Sequence, residues 1–423
     1  MSGKFPFNGS DYLMLGFDYE LRRQGYAGNS CQIILELASV LPLARLQERL
    51  DDLSQRYPVL CARPGGWFSR RWQLPGKRVS SPRVRVHPAE AAPSQRWFNE
   101  PLATRQGELL RFDLVESGQG KMTLIFTWAH ALMDAPGAEQ FLVALGSGEN
   151  TLLEMPATLS AGDKLRLAER FKLGWKNLHQ LDHFCQAAPR SLGLRHPQAP
   201  SALCFRVEKF SADDTIRIRG HGARLCGVLG DAQYHAAVSV VELHRLHQTL
   251  GCPSPSYVLP LPVGLRPKGS VGPLFGNQIG MLMIQFLPEQ LNSVADAAAT
   301  LKAQTAQALR EGLLESGRVL AELFRFLPLP LYMALIKHGL RGEIGSLFFG
   351  DTAAVNPWLT SFLGVPVEDF AHVAAVTPSP GVEVIFYYFR GTLRFTVVHS
   401  AKTLSETEAA DFAASLRARL LNP

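Results

Sequence analysis

This 423-residue sequence predicts an α+β fold in two lobes, each a mixed sheet carrying helices. Three observations lead there. Short apolar runs of strand length alternate with helix-period stretches in both halves. A segment rich in Ala and Pro separates the halves at 187–201. The length allows two substantial cores, and no internal repeat appears. The expected division is a first lobe over 1–186, a linker over 187–201 and a second lobe over 202–423.

Residues 31–38, Cys-Gln-Ile-Ile-Leu-Glu-Leu-Ala, read as a strand by their β-branched content and partial alternation. Over 41–53, Leu43, Leu46, Leu50 and Leu53 fall on one face, which predicts a helix. Residues 109–115 and 122–128 read as a strand pair turning at Ser117-Gly-Gln-Gly120, and a helix-like run follows at 137–144. A long helix is predicted over 164–184, where Leu167, Ala168, Phe171, Trp175, Leu178 and Leu181 recur at helical spacing. Its other faces carry Lys164, Arg166, Arg170, Lys172 and Lys176. A solvated basic face over a core is the default reading, and contact with an anionic membrane is the alternative.

The second half restarts with a strand near 203–210 and a helix over 231–250. Residues 257–263 and 280–287 read as buried strands, and 291–314 as an Ala-rich helix. Residues 382–389 and 392–399 predict a hairpin turning at Arg390-Gly391. Ser405 starts a last helix, with Glu408 at capping-box spacing.

Composition excludes several classes. With 46% hydrophobic and 19% charged residues, the chain is globular and not disordered. A net charge of +6 favours an anionic partner through steering. No basic tract interleaved with aromatics suggests nucleic acid. The six cysteines stand singly without a C-x-x-C pair, so no metal site is expected from them and reduced thiols are. His244 and His247 lack a matching third ligand and read as solvated helix residues. No apolar leader follows Met1, and no run of about 20 apolar residues occurs. The expected location is the cytoplasm, with peripheral membrane association as an option. The apolar run at 326–336 reads as core or tunnel lining, and otherwise as a surface touching lipid or an acyl chain.

The most informative stretch is 128–137, Trp-Ala-His-Ala-Leu-Met-Asp-Ala-Pro-Gly. His130 falls where a strand gives way to a helix, and Asp134 follows four residues later. A side chain at an element end can be aimed into a cleft, and histidine is the usual general base near neutral pH. The carboxylate could fix the ring or hold the loop.

This stretch resembles the His-His-x-x-x-Asp-Gly motif of the chloramphenicol acetyltransferase-like superfamily. That superfamily includes wax ester synthases, diacylglycerol acyltransferases, BAHD acyltransferases and the condensation domains of peptide synthetases. Ala129 stands in place of the first His and Ala135 in place of the Gly, while Gly137 follows Pro136. Further segments are similar to the family in order and spacing. They are Leu53-Ser-Gln-Arg-Tyr-Pro-Val-Leu-Cys-Ala-Arg63, with Cys61 where Arg is common, and Pro101-Leu102 with 109–114. Later come Leu261-Pro-Val-Gly-Leu-Arg266, Phe275-Gly-Asn277 closing at Pro288, and the run 378–405. The second BAHD signature, Asp-Phe-Gly-Trp-Gly, is not matched; Thr360-Ser-Phe-Leu-Gly364 occupies its region.

The resemblance implies two chloramphenicol acetyltransferase-like lobes with an active-site tunnel between them. It implies an acyltransferase that moves an acyl group from a thioester donor to a hydroxyl or amine acceptor, as in lipid or natural-product biosynthesis. His130 would be the general base. Asp134, paired with Arg266, would organise the site, with Gly137 at the start of the following helix. Asn277 would hydrogen-bond substrate or else orient the site, and Gly276 would permit close backbone approach to the substrate. No resident cofactor and no metal are implied, since acyl-CoA or a phosphopantetheinyl carrier protein enters as donor substrate. The competing reading is a non-catalytic condensation-like module that recruits a carrier protein.

Overall fold

The computed structural model describes residues 4–65, 71–76, 81–88, 93–118, 120–147, 165–267 and 272–423. The first half contributes β1 (Lys4–Pro6), α1 (Gly9–Arg23), β2 (Ser30–Leu37), α2 (Leu43–Arg56), β3 (Arg63–Pro64), β4 (Arg71–Gln73), β5 (Arg83–His87) and α3 (Pro93–Phe98). It continues through β6 (Leu110–Ser117), β7 (Lys121–Ala129), α4 (Ala135–Ser147) and α5 (Leu167–Phe184). The second half contributes β8 (Leu203–Lys209), α6 (Ala212–Cys226), α7 (Asp231–Thr249), β9 (Tyr257–Gly264), β10 (Ile279–Phe286), α8 (Val294–Arg310), α9 (Leu313–Phe324) and α10 (Leu329–His338). It closes with β11 (Phe348–Ala354), β12 (Ser361–Phe362), β13 (Val365–Ala374), β14 (Val382–Phe389), β15 (Thr392–Ser400) and α11 (Glu406–Leu421).

The largest sheet, in the order β12-β13-β2-β7-β6-β5, builds the first lobe. Its central strand β7 is buried along almost its whole length, which explains why 122–128 is mostly apolar, with only the small polar residues Thr123 and Thr127 among its members. The second lobe holds the four-stranded sheet β11-β14-β15-β8 and the antiparallel pair β9–β10. The β14–β15 hairpin turns at Arg390-Gly391 with φ of 49° and 77°, the pair of positive angles that a two-residue hairpin turn of the primed kind needs.

Several elements depart from expectation. The expected boundary at 187–201 does not separate the sheets, because β13 crosses back and pairs with β2 in the first lobe. Ile385, Tyr387 and Phe389 of β14 likewise join the first lobe's core, while Val382, Val384 and Phe386 point into the second. The two lobes thus share a strand through its alternating faces. The single helix expected over 291–314 is two, broken where Gly312 adopts φ of 71°.

Two burial patterns also differ. In α5 the stripe Leu167, Phe171 and Trp175 faces solvent, between 58% and 64% exposed, and the helix instead packs Gly174 and Asn177 against α9. Close helix packing selected the small residue, not the apolar stripe; Lys164 lies outside the described residues. His247 is fully buried and not solvated, with its Nδ1 against the Cys252 carbonyl, because α7 is enclosed on most of its faces. The 326–336 run spans the turn before α10 and most of that helix and divides both ways: Tyr332 and Met333 are buried, while Phe326, Leu331 and Leu335 are exposed. Among the described residues no helix is long and apolar enough to cross a membrane. None of the six cysteines forms a disulfide.

Candidate active site

His130 begins the tight turn that ends β7. Its backbone is held at both ends. The His130 N–H donates to the Asn29 carbonyl at 3.0 Å, and its carbonyl accepts from Asn277 Nδ2 at 2.9 Å. One partner therefore comes from the first lobe and the other from the loop before β10. The turn closes with Leu132 N–H on the Ala129 carbonyl, and the Trp128 indole N–H donates to the Met133 carbonyl at 3.0 Å. Trp128 is a core residue, stacked on Phe126.

Asp134 does not touch the His130 ring. It caps α4, with its Oδ1 accepting from Gly137 N–H at 3.1 Å and its carbonyl accepting from Ala138 N–H. The same carboxylate receives both arms of Arg266, at 2.7 and 2.8 Å, and the Gln278 N–H at 2.9 Å. Arg266 also donates to the Pro273 carbonyl. A bidentate, mostly buried pair of this kind fixes orientation as well as distance. Here it ties the first helix turn after the motif to the loop between β9 and β10.

Gly137 lies under that loop. A Cβ there would collide with the Leu274 carbonyl and come within 3.1 Å of Asp134 Oδ1. Gly276, with φ of 82°, donates its N–H to the Leu132 carbonyl and forms a parallel bridge with Met133. An L side chain is strained at that angle, so glycine lets the loop bend onto the motif.

Asn277 is 1% exposed. Its side-chain N–H groups go to the His130 carbonyl and to Asp11 Oδ1, so it holds the His130 loop and does not face an open cleft. Asp11 and Asn8 were not singled out by the sequence reading. They form a capping box at the start of α1, and Asp11 also accepts the Asn277 backbone N–H at 2.7 Å. The spacing Asn8-x-x-Asp11 is a capping-box signal that could have located the helix start, though not its distant partner. Gln278 and Asn29 enter through backbone groups, which sequence does not reveal.

The electrostatics follow from burial. Burial depresses the His130 pKa below its ordinary 6.5; its own carbonyl, Asp134 and Asn277 act in the opposite direction and do not overcome it. The ring is therefore neutral at pH 7. Its Nδ1 is sealed from solvent without a well-aligned hydrogen bond, and no described residue bonds Nε2. Burial also pushes the Asp11 carboxyl up to about 7, outweighing the three N–H groups that donate to it. Cys61 and Arg63 line a separate recess of about 500 Å³ on the first lobe, with Gln106 and Leu109, that includes none of these site residues.

No family model and no curated protein sequence matches the chain. Solved structures do. The first condensation domain of the CDA synthetase aligns over 100% of this chain and 97% of its own, at 16% identity and a TM-score of 0.68. The condensation domain of the Monacolin K polyketide synthase MokA aligns over 100% and 98%, at 14% identity and 0.69. The trichothecene 15-O-acetyltransferase TRI3 from Fusarium sporotrichioides aligns over 99% and 95%, at 14% identity and 0.72. The chain has the two-lobed chloramphenicol acetyltransferase-like fold that these structures share.

Proposed function

We propose that this chain, on a condensation-domain fold, is an acyltransferase whose general base is His130. The observation that carries the proposal is a neutral, half-buried imidazole, its Nδ1 sealed from solvent, on a turn clamped from the second half of the sequence by Asn277, Gly276 and the Asp134–Arg266 pair. A neutral ring accepts a proton without first losing one, and a clamped turn fixes where it does so.

In the proposed reaction, Nε2 of His130 takes the proton from an acceptor hydroxyl or amine as the oxygen or nitrogen attacks the thioester carbonyl. The tetrahedral intermediate collapses, the C–S bond breaks, and the imidazolium returns the proton to the departing thiol. No acyl-enzyme forms, so no serine or cysteine nucleophile is required. Asp134, Arg266, Gly137 and Asn277 position the turn. Donor and acceptor would meet at His130 in a tunnel between the lobes, with acyl-CoA or a phosphopantetheinyl carrier protein as donor. Neighbours that are synthetase condensation domains and an acetyltransferase support acyl transfer or condensation on this fold. The exposed stripe Leu167, Phe171 and Trp175 beside Lys172 and Lys176 is where a peripheral membrane contact would rest. A blue shift of tryptophan emission on anionic vesicles, lost in Trp175→Ala, would show it, and no shift would remove it.

The competing reading is a binding module that recruits a carrier protein without turnover. The buried Ala129, where the motif carries its first His, favours it. Thiol release from a panel of acyl-CoAs and acyl-carrier proteins, with and without alcohol and amine pools, separates the two. Acceptor-dependent release supports the transferase. Carrier-protein binding with no release from any donor supports the module.

A further inference from the structure

A second cluster of reactive side chains lies on the second lobe, away from the His130 turn. On the edge strand β8, Cys204 is the direct cross-strand partner of His399 on β15. The chain leaves β15 at Ser400, and Leu404 N–H bonds back to the Ser400 carbonyl. After Ser405, Glu406 opens α11. The short connection thus brings Glu406 back over the strand pair. One ligand atom from each of Cys204, His399 and Glu406 lies within 4.8 Å of the others.

His399 is the observation that demands explanation. It is 1% exposed, yet neither Nδ1 nor Nε2 has a hydrogen-bond partner. A buried polar atom without a partner is costly, and native structures keep few of them. Other buried histidines in this chain are served differently: His235 meets Asp351, His372 meets Glu139, and His247 meets the Cys252 carbonyl. His399 instead faces a thiol and a carboxylate, one half-buried and the other exposed. The nearby Glu408 is already engaged by Arg195, His196 and the Ser405 N–H.

We propose that Cys204, His399 and Glu406 form a zinc site that fastens the start of α11 to the edge strand β8 and its neighbour β15. Thiolate, imidazole and carboxylate together suit zinc, whereas calcium and magnesium take all-oxygen sets. Tetrahedral zinc with bonds of about 2.0–2.3 Å places its ligand atoms roughly 3.5 Å apart. The present spacing needs a contraction of about 1.3 Å at most, within reach of the exposed Glu406 side chain. Three protein ligands leave the fourth position for water, on the side where Glu406 is exposed. Binding converts the Cys204 thiol to a thiolate and releases its proton to solvent.

The test uses the metal-stripped full chain titrated with Co²⁺ and then Zn²⁺. Cobalt should give a thiolate-to-metal charge-transfer band in the near ultraviolet, which zinc displaces. Cys204→Ser should abolish the band, and Glu406→Gln should weaken zinc binding roughly tenfold or more, since even outer-shell changes cost about 10–100-fold. His399→Phe should do the same if it folds; the other two variants, at half-buried and exposed positions, keep the test decisive if it does not. Zinc should also release one proton per site in weakly buffered solution. Absence of the band, or a band of equal strength in Cys204→Ser, overturns the proposal. So does an unchanged zinc affinity in Glu406→Gln.

Discussion

Two histidines stand at strand ends in this chain, His130 half-buried and His399 buried, and their neighbours differ in one respect. At His130 the nearby carboxylates are turned away from the ring, Asp134 toward Arg266 and Asp11 toward Asn277. At His399 a thiol and a carboxylate are turned toward the ring. The first arrangement fixes a backbone turn and leaves an imidazole free to move protons. The second gathers donors of three kinds around one point, as a soft-to-borderline cation requires. What surrounds a buried histidine, more than its burial, separates proton chemistry from ligation.

The clamp at His130 is the place where the comparison can be broken most severely. Removing one partner of the Asp134–Arg266 pair, as in Asp134→Ala, strands a mostly buried guanidinium. The expected loss is about 3–5 kcal/mol of stability, read as a lower urea midpoint. Arg266→Lys in the otherwise wild-type chain should cost less, because an ammonium keeps the charge but cannot make both bonds. If Asp134→Ala unfolds at the wild-type midpoint, the clamp does not hold the lobes. Next in size, Gly137→Ala sets a methyl group against the Leu274 carbonyl and should cost about 1–3 kcal/mol. Gly118→Ala, where nothing lies within 4 Å of the added methyl, is the silent control.

The smallest effects are pH-dependent. Because the folded-state pKa of His130 lies below 6.5, the neutral ring persists through neutral pH, and an acid limb in the rate should lie below 6.5. The same depression means that the unfolded chain binds more protons below 6.5. This stabilising contribution is therefore present above that pH and lost as pH falls. Asp11 has the opposite sign. Its folded pKa is raised from 3.8 to about 7, so its contribution is full below 3.8 and lost as pH rises through about 7. Denaturation midpoints at roughly pH 5 and pH 8 should converge in Asp11→Asn relative to wild type. An unchanged difference would contradict the assignment.

Much of this was legible in the sequence, for physical reasons. The strand at 122–128 is central and buried on both faces, so its residues are mostly apolar. The turn residues Arg390-Gly391 and the cap Ser405 carry local geometry, which local sequence encodes. Partners brought together by topology were harder to read. Nothing near Asn8 or Asp11 names Asn277, and nothing near 365–374 announces that β13 returns to the first lobe. The helix α5 shows periodicity failing. Its stripe Leu167, Phe171 and Trp175 has the spacing of a core face, yet close packing against α9 placed Gly174 inward. Cys204 and His399 are 195 positions apart in the sequence, so only strand pairing could show them as neighbours.

The central claim rests on His130, and one substitution addresses it directly. Acceptor-dependent thiol release should be compared between wild type and His130→Ala, with circular dichroism showing that both are folded. The account predicts a fall of about 10²–10⁴-fold in the variant with donor binding retained. Release at the wild-type rate by folded His130→Ala would contradict it.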